Sequence, residues 1–279
     1  MKSFKDKIVV ITGAGSGIGR ALALEFEKHG ARLALNDYNE DGLTETCSLL
    51  QNDSEETIYS QVFDVSDEQA MFDFAATIKN RWGNAHVIIN NAGISGFTEP
   101  LYTTPVSAYK KVMDINFFGV LYGTKAFLPH LVENNEGAVV NISSVFGMIG
   151  YPGATDYCAS KFAVRGFTEA LSVEFHQSPI SIHTVHPGGI KTNITDSALN
   201  DDPDRDFDDA FLTTPPEKLA KRIIRGIQKG EPRIIYGNQS RQIWLASRFL
   251  PKRIQNRVLW NKLRGIMKLD KYKLFIKGL

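Results

Sequence analysis

The stretch from Ile8 to Gly19 reads IVVITGAGSGIG, an apolar run followed at once by a glycine-rich turn. Four consecutive β-branched residues predict a buried strand, and the amphipathic pattern beginning at Ile18 predicts a helix. Glycines let the backbone approach a ligand closely, and the first turn of a helix offers free N–H groups to an anion. A pyrophosphate-binding turn is therefore predicted, formed by Gly13, Ser16, Gly17, Ile18 and Gly19.

The same change from short β-rich runs to helical patterns recurs along the chain. Strands are predicted at Ile8–Ile11, Arg32–Asn36, Ile58–Phe63, Val87–Asn90, Ala138–Ile142, Ile182–His186 and Arg233–Tyr236. Helices are predicted at Ile18–His29, Asp41–Gln51, Asp67–Trp82, Val106–Glu133, Ala154–Gln177 and Pro216–Lys229. Ser66, followed by Gln69, has the form of a capping box for the third helix.

This alternation predicts the α/β fold class: a single doubly wound parallel sheet, Rossmann-like, of about seven strands with helices on both faces. Residues 1–240 are expected to form this domain. Residues 241–279 are expected to add a basic, amphipathic C-terminal helical extension.

Composition narrows the class of protein further. Apolar residues make up 43% of the 279, as in a folded globular protein. The two cysteines, Cys47 and Cys158, cannot form a disulfide framework, and no His/Cys spacing suits a metal site. No apolar run is long enough to cross a membrane, and the amino-terminal segment lacks a signal-peptide pattern. We therefore expect a cytoplasmic protein without a catalytic metal.

An acidic residue, Asp37, ends the second predicted strand. A carboxylate there accepts hydrogen bonds from both ribose hydroxyls of an adenosine and repels a 2′-phosphate. Ser16 and Tyr38, where a basic residue would favour NADP, are not basic. The expected cofactor is therefore NAD(H).

Two further segments follow predicted strands, where open α/β sheets bind their ligands. Asp64 and Val65 follow the third strand, and Asn91, Ala92 and Gly93 follow the fourth. We expect both segments to contribute to the cofactor site.

Tyr157 and Lys161 lie four residues apart on a predicted helix, so both side chains share one face. An ammonium close to a tyrosine stabilises the phenolate, so we expect Lys161 to lower the Tyr157 pKa and make Tyr157 an acid/base group. Ser144, after the fifth strand, is placed to stabilise charge on a substrate oxygen. For Asn116, on the long fourth helix, a structural hydrogen bond is the simpler interpretation.

Over roughly residues 5–236, the chain resembles the short-chain dehydrogenase/reductase family in the order and spacing of its motifs. These motifs are the glycine-rich turn, Asn90–Gly93, Asn116, Ser144, Tyr157/Lys161 and Pro187-Gly188. The resemblance implies a catalytic tetrad of Asn116, Ser144, Tyr157 and Lys161. Asn116 would hold a water in the proton relay, and Lys161 would also bind the nicotinamide ribose. It further implies a cofactor-binding segment after the sixth strand, with Pro187, Gly188, Ile190 and Thr192.

The leading hypothesis is an NAD-dependent short-chain alcohol dehydrogenase or carbonyl reductase. One alternative is an NADPH-dependent reductase of 3-ketoacyl type, against which Asp37 argues. Another is a regulator that binds a nucleotide without turnover, against which the complete tetrad argues. Members of this family usually form homodimers or homotetramers through the long helices after strands four and five, so we expect a homo-oligomer here.

Apolar residues following strands four and five are expected to flank the substrate pocket, which favours a hydrophobic alcohol, ketone or aldehyde. They are Gly96, Phe97, Val145, Phe146, Met148, Ile149 and Tyr151. His186, where the family often has asparagine, is interpreted as structural. Residues 193–215, which contain seven aspartates, are interpreted either as a solvated insertion or as a substrate lid.

The last 39 residues are strongly basic. Residues 241–279 contain 11 Lys/Arg and one acid, whereas residues 1–240 carry a net charge of about −9. Pro251 is expected to end a helix that carries Trp244 and Phe249. An apolar arc is predicted to follow it, formed by Leu259, Trp260, Leu263, Ile266 and Met267. Packing on the body and contact with an anionic membrane both remain open, and a nucleic-acid partner is not expected.

Overall fold

A computed structural model of the chain describes residues 1–51, 54, 56–97, 99–194, 199 and 211–263. In these residues seven strands form one parallel sheet in the order β3-β2-β1-β4-β5-β6-β7. The strands are β1 (Ile8–Thr12), β2 (Arg32–Asp37), β3 (Ile58–Val62), β4 (Val87–Asn90), β5 (Gly137–Ile142), β6 (Ile180–Pro187) and β7 (Arg233–Tyr236). The predicted fold class is confirmed, and each predicted strand ends within two residues of the observed one.

Helices connect the strands and cover both faces of the sheet. They are α1 (Gly17–Lys28), α2 (Glu40–Ser48), α3 (Glu68–Trp82), α4 (Val106–Met113), α5 (Gly119–Asn134), α6 (Thr155–Glu174), α7 (Pro216–Lys229), α8 (Ser240–Phe249) and α9 (Lys252–Leu263). None of the helices in the described ranges is long and apolar enough to span a membrane.

The hydrophobic core lies on both sides of the sheet because successive strand residues point to opposite faces. In β1, Val9 and Ile11 pack with residues of α1 and α7, whereas Ile8 and Val10 pack with residues of α3 and α5. All four side chains are buried. This two-sided burial explains why the strand appears in the sequence as a continuous apolar run.

The predicted helix Val106–Glu133 is interrupted by a π-helical turn at Asp114–Phe118, which joins α4 to α5. Beyond it, α5 lies very close to the sheet, because a Cβ added at Gly123 would overlap Asn90 Oδ1. A π turn contains one residue more than an α-helical turn. Hydrogen bonds between the Asn116 side chain and the main chain of Ile94 stabilise this turn.

The predicted capping box at Ser66 is wrong. Asp67 is the N-cap of α3, and its carboxylate accepts a hydrogen bond from the Ala70 N–H at 3.0 Å. Ser66 instead donates its hydroxyl to the carboxylate of Asp64, two residues earlier, at 2.8 Å, so its hydroxyl does not cap the helix.

Pro251 separates α8 from α9, as predicted. On α8, Ile243 and Trp244 pack against buried residues of the body. On α9, Leu259 and Trp260 are half-buried. The side chain of Leu263, together with Ile266 and Met267, lies outside the described residues.

Candidate active site

The segments predicted to bind a dinucleotide all lie at the carboxyl edge of the sheet. The order of the strands places β1 next to β4, and the connection after β1 leads to β2 on one side whereas the connection after β4 leads to β5 on the other. Such a switch point opens a crevice outside the strand ends. The glycine turn and the segments after β2, β3, β4 and β6 surround this crevice.

The glycine turn fits a pyrophosphate. Gly17 has φ +51°, a conformation that side chains rarely adopt, and a Cβ there would be 3.0 Å from Thr192 in the segment after β6. Ser16 is the N-cap of α1 but makes no side-chain cap hydrogen bond in the described structure, and the first turn of α1 contains no acid. The N–H groups of that turn are therefore available to an anion.

The segment after β4 is hydrogen-bonded to the start of the glycine turn. The Asn91 side chain donates to the carbonyl oxygens of Thr12 and Gly13, both at 3.0 Å. The Thr12 hydroxyl accepts from the main-chain N–H groups of Asn91 and Ala92. A Cβ at Gly13 would be 2.8 Å from the Ala92 Cα, so two predicted cofactor segments meet in direct contact.

Asp37 is buried at the end of β2 and faces the glycine turn. Its Oδ2 accepts from the Gly15 N–H at 2.7 Å, and its Oδ1 accepts from the Asn39 N–H at 2.9 Å. Each carboxylate oxygen has a second lone pair, so the group can still accept from ribose hydroxyls.

A nearby cation, Arg20, is held away from the ribose position. Its guanidinium donates to Glu45 at 2.6 Å and to Thr46 at 2.9 Å. It also donates to the Gly15 carbonyl oxygen at 2.5 Å. These bonds occupy most of the N–H groups of Arg20 that could otherwise bind a 2′-phosphate.

The segments after β3 and β6 complete the crevice. Asp64 is exposed, whereas Val65 is buried and would be 2.7 Å from a Cβ at Gly119. Pro187 ends β6, and Gly188 is pressed against the Asn238 carbonyl oxygen. The Ile190 side chain is buried in the core, so only its main chain can face a ligand.

Tyr157, Ser144 and Lys161 come together where α6 meets the end of β5. Ser144 is hydrogen-bonded to the Tyr157 hydroxyl. The Lys161 Nζ lies 5.6 Å from the centre of the Tyr157 ring and donates to the Ile142 carbonyl oxygen at 3.2 Å. Three predicted catalytic side chains thus share one site.

The predicted lowering of the Tyr157 pKa is wrong for this structure. Burial raises the pKa of Tyr157 to about 12, and the hydrogen bond from Ser144 offsets only part of that effect. Burial also lowers the pKa of Lys161 to about 8. The cost of removing the phenolate from water therefore dominates the pKa of Tyr157. Tyr157 is therefore a neutral phenol, able to donate a proton.

Asn116 lies in the π-helical turn beside this site. Its side-chain amide donates to the Ile94 carbonyl oxygen at 2.9 Å and to the Ser160 hydroxyl at 3.0 Å, and its Oδ1 accepts from the Ile94 N–H at 2.8 Å. A Cβ at Gly93 would be 2.9 Å from Asn116 Oδ1 and 3.3 Å from Lys161 Nζ. The side chain joins the segment after β4 to α6, and its place in the proton relay stays a prediction.

The description "short chain dehydrogenase" belongs to a family model that matches residues 7–203. This protein is a member of the short-chain dehydrogenase family. A putative oxidoreductase, SadH, of Mycobacterium tuberculosis is 40% identical over 92% of this chain and 96% of its own. Human epidermal retinol dehydrogenase 2 is 40% identical over 69% of this chain and 63% of its own.

Solved structures share the fold of this short-chain dehydrogenase. A family member from Burkholderia phymatum, crystallised in complex with NAD, superposes with a TM-score of 0.83. The two sequences are 24% identical, and the match covers 92% of this chain and 97% of the other. This similarity concerns the fold.

An aromatic cluster lies beside Tyr157 in this dehydrogenase. The Phe146 ring is 6.5 Å from the Tyr157 ring, 4.8 Å from Tyr151 and 6.1 Å from Phe211, measured between centroids. Ile243 and Trp244 of α8 pack against the same cluster, which also contains Val145 and Met148. Phe211 was missed in the sequence because it lies within the acidic segment 193–215, which contains few other apolar residues.

Most of segment 193–215 lies outside the described residues, so the two interpretations of it are not decided. Two observations concern its position. The Leu199 N–H donates to the Gly96 carbonyl oxygen at 3.0 Å, and Ile190 pairs with Thr214 across the base of the segment. The bridge holds the two ends of the segment together, and Leu199 lies next to Gly96, which is expected to flank the substrate pocket.

His186 is buried, and burial lowers its pKa to about 4, so the ring is neutral. Its Nδ1 lies 2.9 Å from the Ser144 carbonyl oxygen. A carbonyl oxygen only accepts, so Nδ1 carries the proton. His186 thus holds the main chain of Ser144, in agreement with the structural role expected for it.

Asp156, which the sequence reasoning missed, connects the segment after β4 to the catalytic helix. Its buried carboxylate accepts from the Phe97 N–H and the Tyr157 N–H, both at 2.7 Å. Burial raises the pKa of Asp156, and these hydrogen bonds offset part of the effect. In the sequence, only its position next to Tyr157 distinguishes Asp156, and an acidic residue next to a catalytic residue is often exposed and without a role.

Asp156→Asn is expected to raise KM about tenfold while kcat changes less than about threefold. The amide retains one acceptor oxygen and places an N–H group against one of the two donors, so the segment at Phe97 loses its anchor. Steady-state kinetics would measure the split, with the exposed Asp41→Asn as the control. A large fall in kcat at constant KM would contradict this positioning role.

Proposed function

We propose that this protein is an NAD(H)-dependent oxidoreductase that interconverts a hydrophobic alcohol and its ketone or aldehyde. The observation that carries the proposal is the buried group of Tyr157, Ser144 and Lys161 beside an uncapped helix N-terminus at the switch point of the sheet. Membership of the short-chain dehydrogenase family supports the reaction type.

In this proposal each side chain has one task. Bound nicotinamide supplies or accepts the hydride. Tyr157 donates its phenolic proton to the substrate oxygen in the direction of reduction and takes it back in oxidation. Ser144 donates a hydrogen bond to the same oxygen and stabilises charge that develops there. Lys161 places a positive charge behind the phenol, and Asn116 keeps the segment after β4 against α6.

NAD is preferred to NADP in this proposal because Asp37 occupies the place that a 2′-phosphate would need. The carboxylate is fixed by the Gly15 and Asn39 N–H groups, so it cannot turn away without losing both bonds. The adjacent Tyr38 is exposed and neutral, and Arg20 is engaged by Glu45 and Thr46. The remaining cofactor contacts are assigned to the glycine turn, Asp64–Val65, Asn91–Gly93 and residues 187–192.

A lipophilic substrate is supported by the aromatic cluster beside the Tyr157 ring. Phe146, Tyr151 and Phe211 offer ring faces and edges where the carbon skeleton of a substrate would lie. The human relative that is 40% identical is named for retinol, a lipophilic alcohol. We therefore place the substrate among hydrophobic primary or secondary alcohols and their carbonyl products.

We further propose that residues 1–240 form the dehydrogenase domain and that residues 241–279 extend it. A homodimer or homotetramer in the cytoplasm is part of the same proposal. Exposed apolar side chains on α5 and α6 support assembly through these helices, among them Val132, Phe162 and Val173. Both cysteines are free, as in a reducing compartment.

The test is a dehydrogenase assay with both cofactors over structurally diverse alcohols. Wild-type kcat/KM is expected to be at least about tenfold higher with NAD than with NADP, or about 1.4 kcal/mol of discrimination. The double variant Asp37→Ser, Tyr38→Arg removes the carboxylate and adds a cation, and is expected to erode or reverse this ratio. Tyr38→Arg alone is the control, because it retains Asp37. Equal wild-type efficiency with both cofactors, or no turnover with any alcohol, would contradict the proposal.

A further inference from the structure

The two C-terminal helices have an inner face that packs on the body and an outer face that does not. Ile243 and Trp244 lie on the inner face of α8, next to the aromatic cluster. On the outer side, Phe249 is 69% exposed and Leu245 is 40% exposed. On α9, Ile254 and Val258 are 46% and 43% exposed, one helical turn apart. An apolar surface on both helices is thus in contact with solvent.

The angle between the two helices is fixed by a buried side chain. Gln255, on α9, donates to the carbonyl oxygens of Leu250 at 2.7 Å and Ala246 at 3.2 Å. The Leu250 carbonyl lies just past the end of α8, where a helix leaves carbonyl groups without internal partners, whereas the Ala246 carbonyl also accepts from the Leu250 N–H. The exposed face therefore belongs to a defined helical corner.

The charge around this face has one sign. Residues 240–263 contain six basic residues and no acidic one. The basic residues are Arg241, Arg248, Lys252, Arg253, Arg257 and Lys262, and all are exposed. Residues 1–240, by contrast, carry a net charge of about −9. An exposed apolar surface on two helices whose only charged residues, from 240 to 263, are cations is complementary to anionic lipid headgroups over an acyl layer.

Other occupants fit this face less well. A second copy docked symmetrically would bring the same six cations against one another. A nucleic acid would use the cations but would leave Leu245, Phe249, Ile254 and Val258 without a role. An anionic bilayer uses both features at once.

We propose that α8 and α9 dock this enzyme on an anionic lipid surface. Leu245, Phe249, Leu250, Ile254 and Val258 enter the headgroup region, and the surrounding cations contact lipid phosphates. Because α8 packs on the aromatic cluster beside Tyr157, docking brings that cluster close to the bilayer. The consequence for substrate entry rests on the proposed function, whereas the docking itself does not.

The experiment is co-sedimentation of the full-length protein with vesicles of phosphatidylcholine alone or with added phosphatidylserine, at low and high salt. The wild type is expected to sediment with the phosphatidylserine vesicles at low salt and to be released by salt. Two double variants test the two components: Phe249→Ser with Ile254→Ser, and Arg253→Glu with Arg257→Glu. Each is expected to weaken vesicle binding by about tenfold or more.

Leu49→Ser with Val106→Ser removes two exposed apolar side chains from other parts of the surface and is the matched control. It is expected to bind vesicles as the wild type does. Turnover of a water-soluble alcohol by the two helix variants is expected to match the wild type, which shows that they fold. Vesicle binding needs no catalysis, so an inactive but sedimenting protein would contradict the proposed function alone.

Two results would overturn the docking proposal. One is a wild-type protein that stays in the supernatant with phosphatidylserine vesicles at low salt. The other is unchanged vesicle binding by both helix variants. If the variants instead lower the oligomeric state in analytical ultracentrifugation and bind vesicles normally, the face is a contact between subunits.

Discussion

Replacing Tyr157 with phenylalanine is expected to lower kcat by between about 10²- and 10⁴-fold, with NAD affinity nearly unchanged. The substitution removes only the hydroxyl that is hydrogen-bonded to Ser144. The ring and its edge contact with Phe146, at 6.5 Å between centroids, remain. Loss of the proton donor is therefore separated from loss of packing.

Single-turnover and steady-state kinetics would measure this effect, together with NAD binding followed by tryptophan fluorescence. Tyr151→Phe is a matched control, because its ring also packs against Phe146, at 4.8 Å. It is expected to retain most of the wild-type kcat. A Tyr157→Phe variant that kept most of its kcat would show that another group moves the proton.

The pH dependence of this step follows from burial. Because burial raises the pKa of Tyr157 to about 12, the phenol stays protonated across the neutral range in the free enzyme. For carbonyl reduction, kcat/KM is thus not expected to fall through loss of the Tyr157 proton below about pH 10. In the Tyr157→Phe variant, kcat/KM has no dependence on the ionisation of a phenol at this position.

The fold and the cofactor crevice could be predicted because their signals are local. Strands buried on both faces appear as continuous apolar runs, and the ligand groups follow directly at their carboxyl ends. Asp37 and the glycine turn could be assigned in this way from their neighbours in the sequence alone. The boundaries of β4, β7 and α7 agree with the prediction residue for residue.

The remaining features depend on contacts between distant parts of the chain. The π turn at Asn116 depends on bonds to Ile94, 22 residues away, and the anchor of Phe97 is Asp156, 59 residues away. The Tyr157 pKa has the opposite direction from our expectation because sequence spacing shows the neighbouring lysine but not the depth of burial. The contact of Trp244 with the aromatic cluster is likewise a product of the tertiary fold.

Replacing Lys161 with methionine is expected to abolish most activity without a loss of stability. Lys161 is buried and forms no ion pair with a carboxylate in the described part of the chain. Burial lowers its pKa from 10.5 to about 8. Holding the ammonium there costs roughly 3 kcal/mol at neutral pH, a cost that methionine removes.

The direction in which stability changes with pH tests the lowered pKa of Lys161. Between about pH 8 and about pH 10.5 the unfolded chain binds a proton at Lys161 that the folded protein has released, so wild-type stability rises with pH through that window. The advantage of Lys161→Met should therefore be largest below about pH 8 and should shrink towards about pH 10.5.

Thermal unfolding of the cofactor-free protein at about pH 7 and about pH 10 would measure this difference, with the exposed Lys221→Met as the control. At the lower pH, Lys161→Met is expected to have a Tm equal to or above that of the wild type. Its kcat/KM is expected to fall by about 100-fold or more, because the positive charge behind Tyr157 is lost. A less stable variant whose difference from the wild type does not depend on pH, or one that retains turnover, would show that the buried ammonium serves the structure and not the reaction.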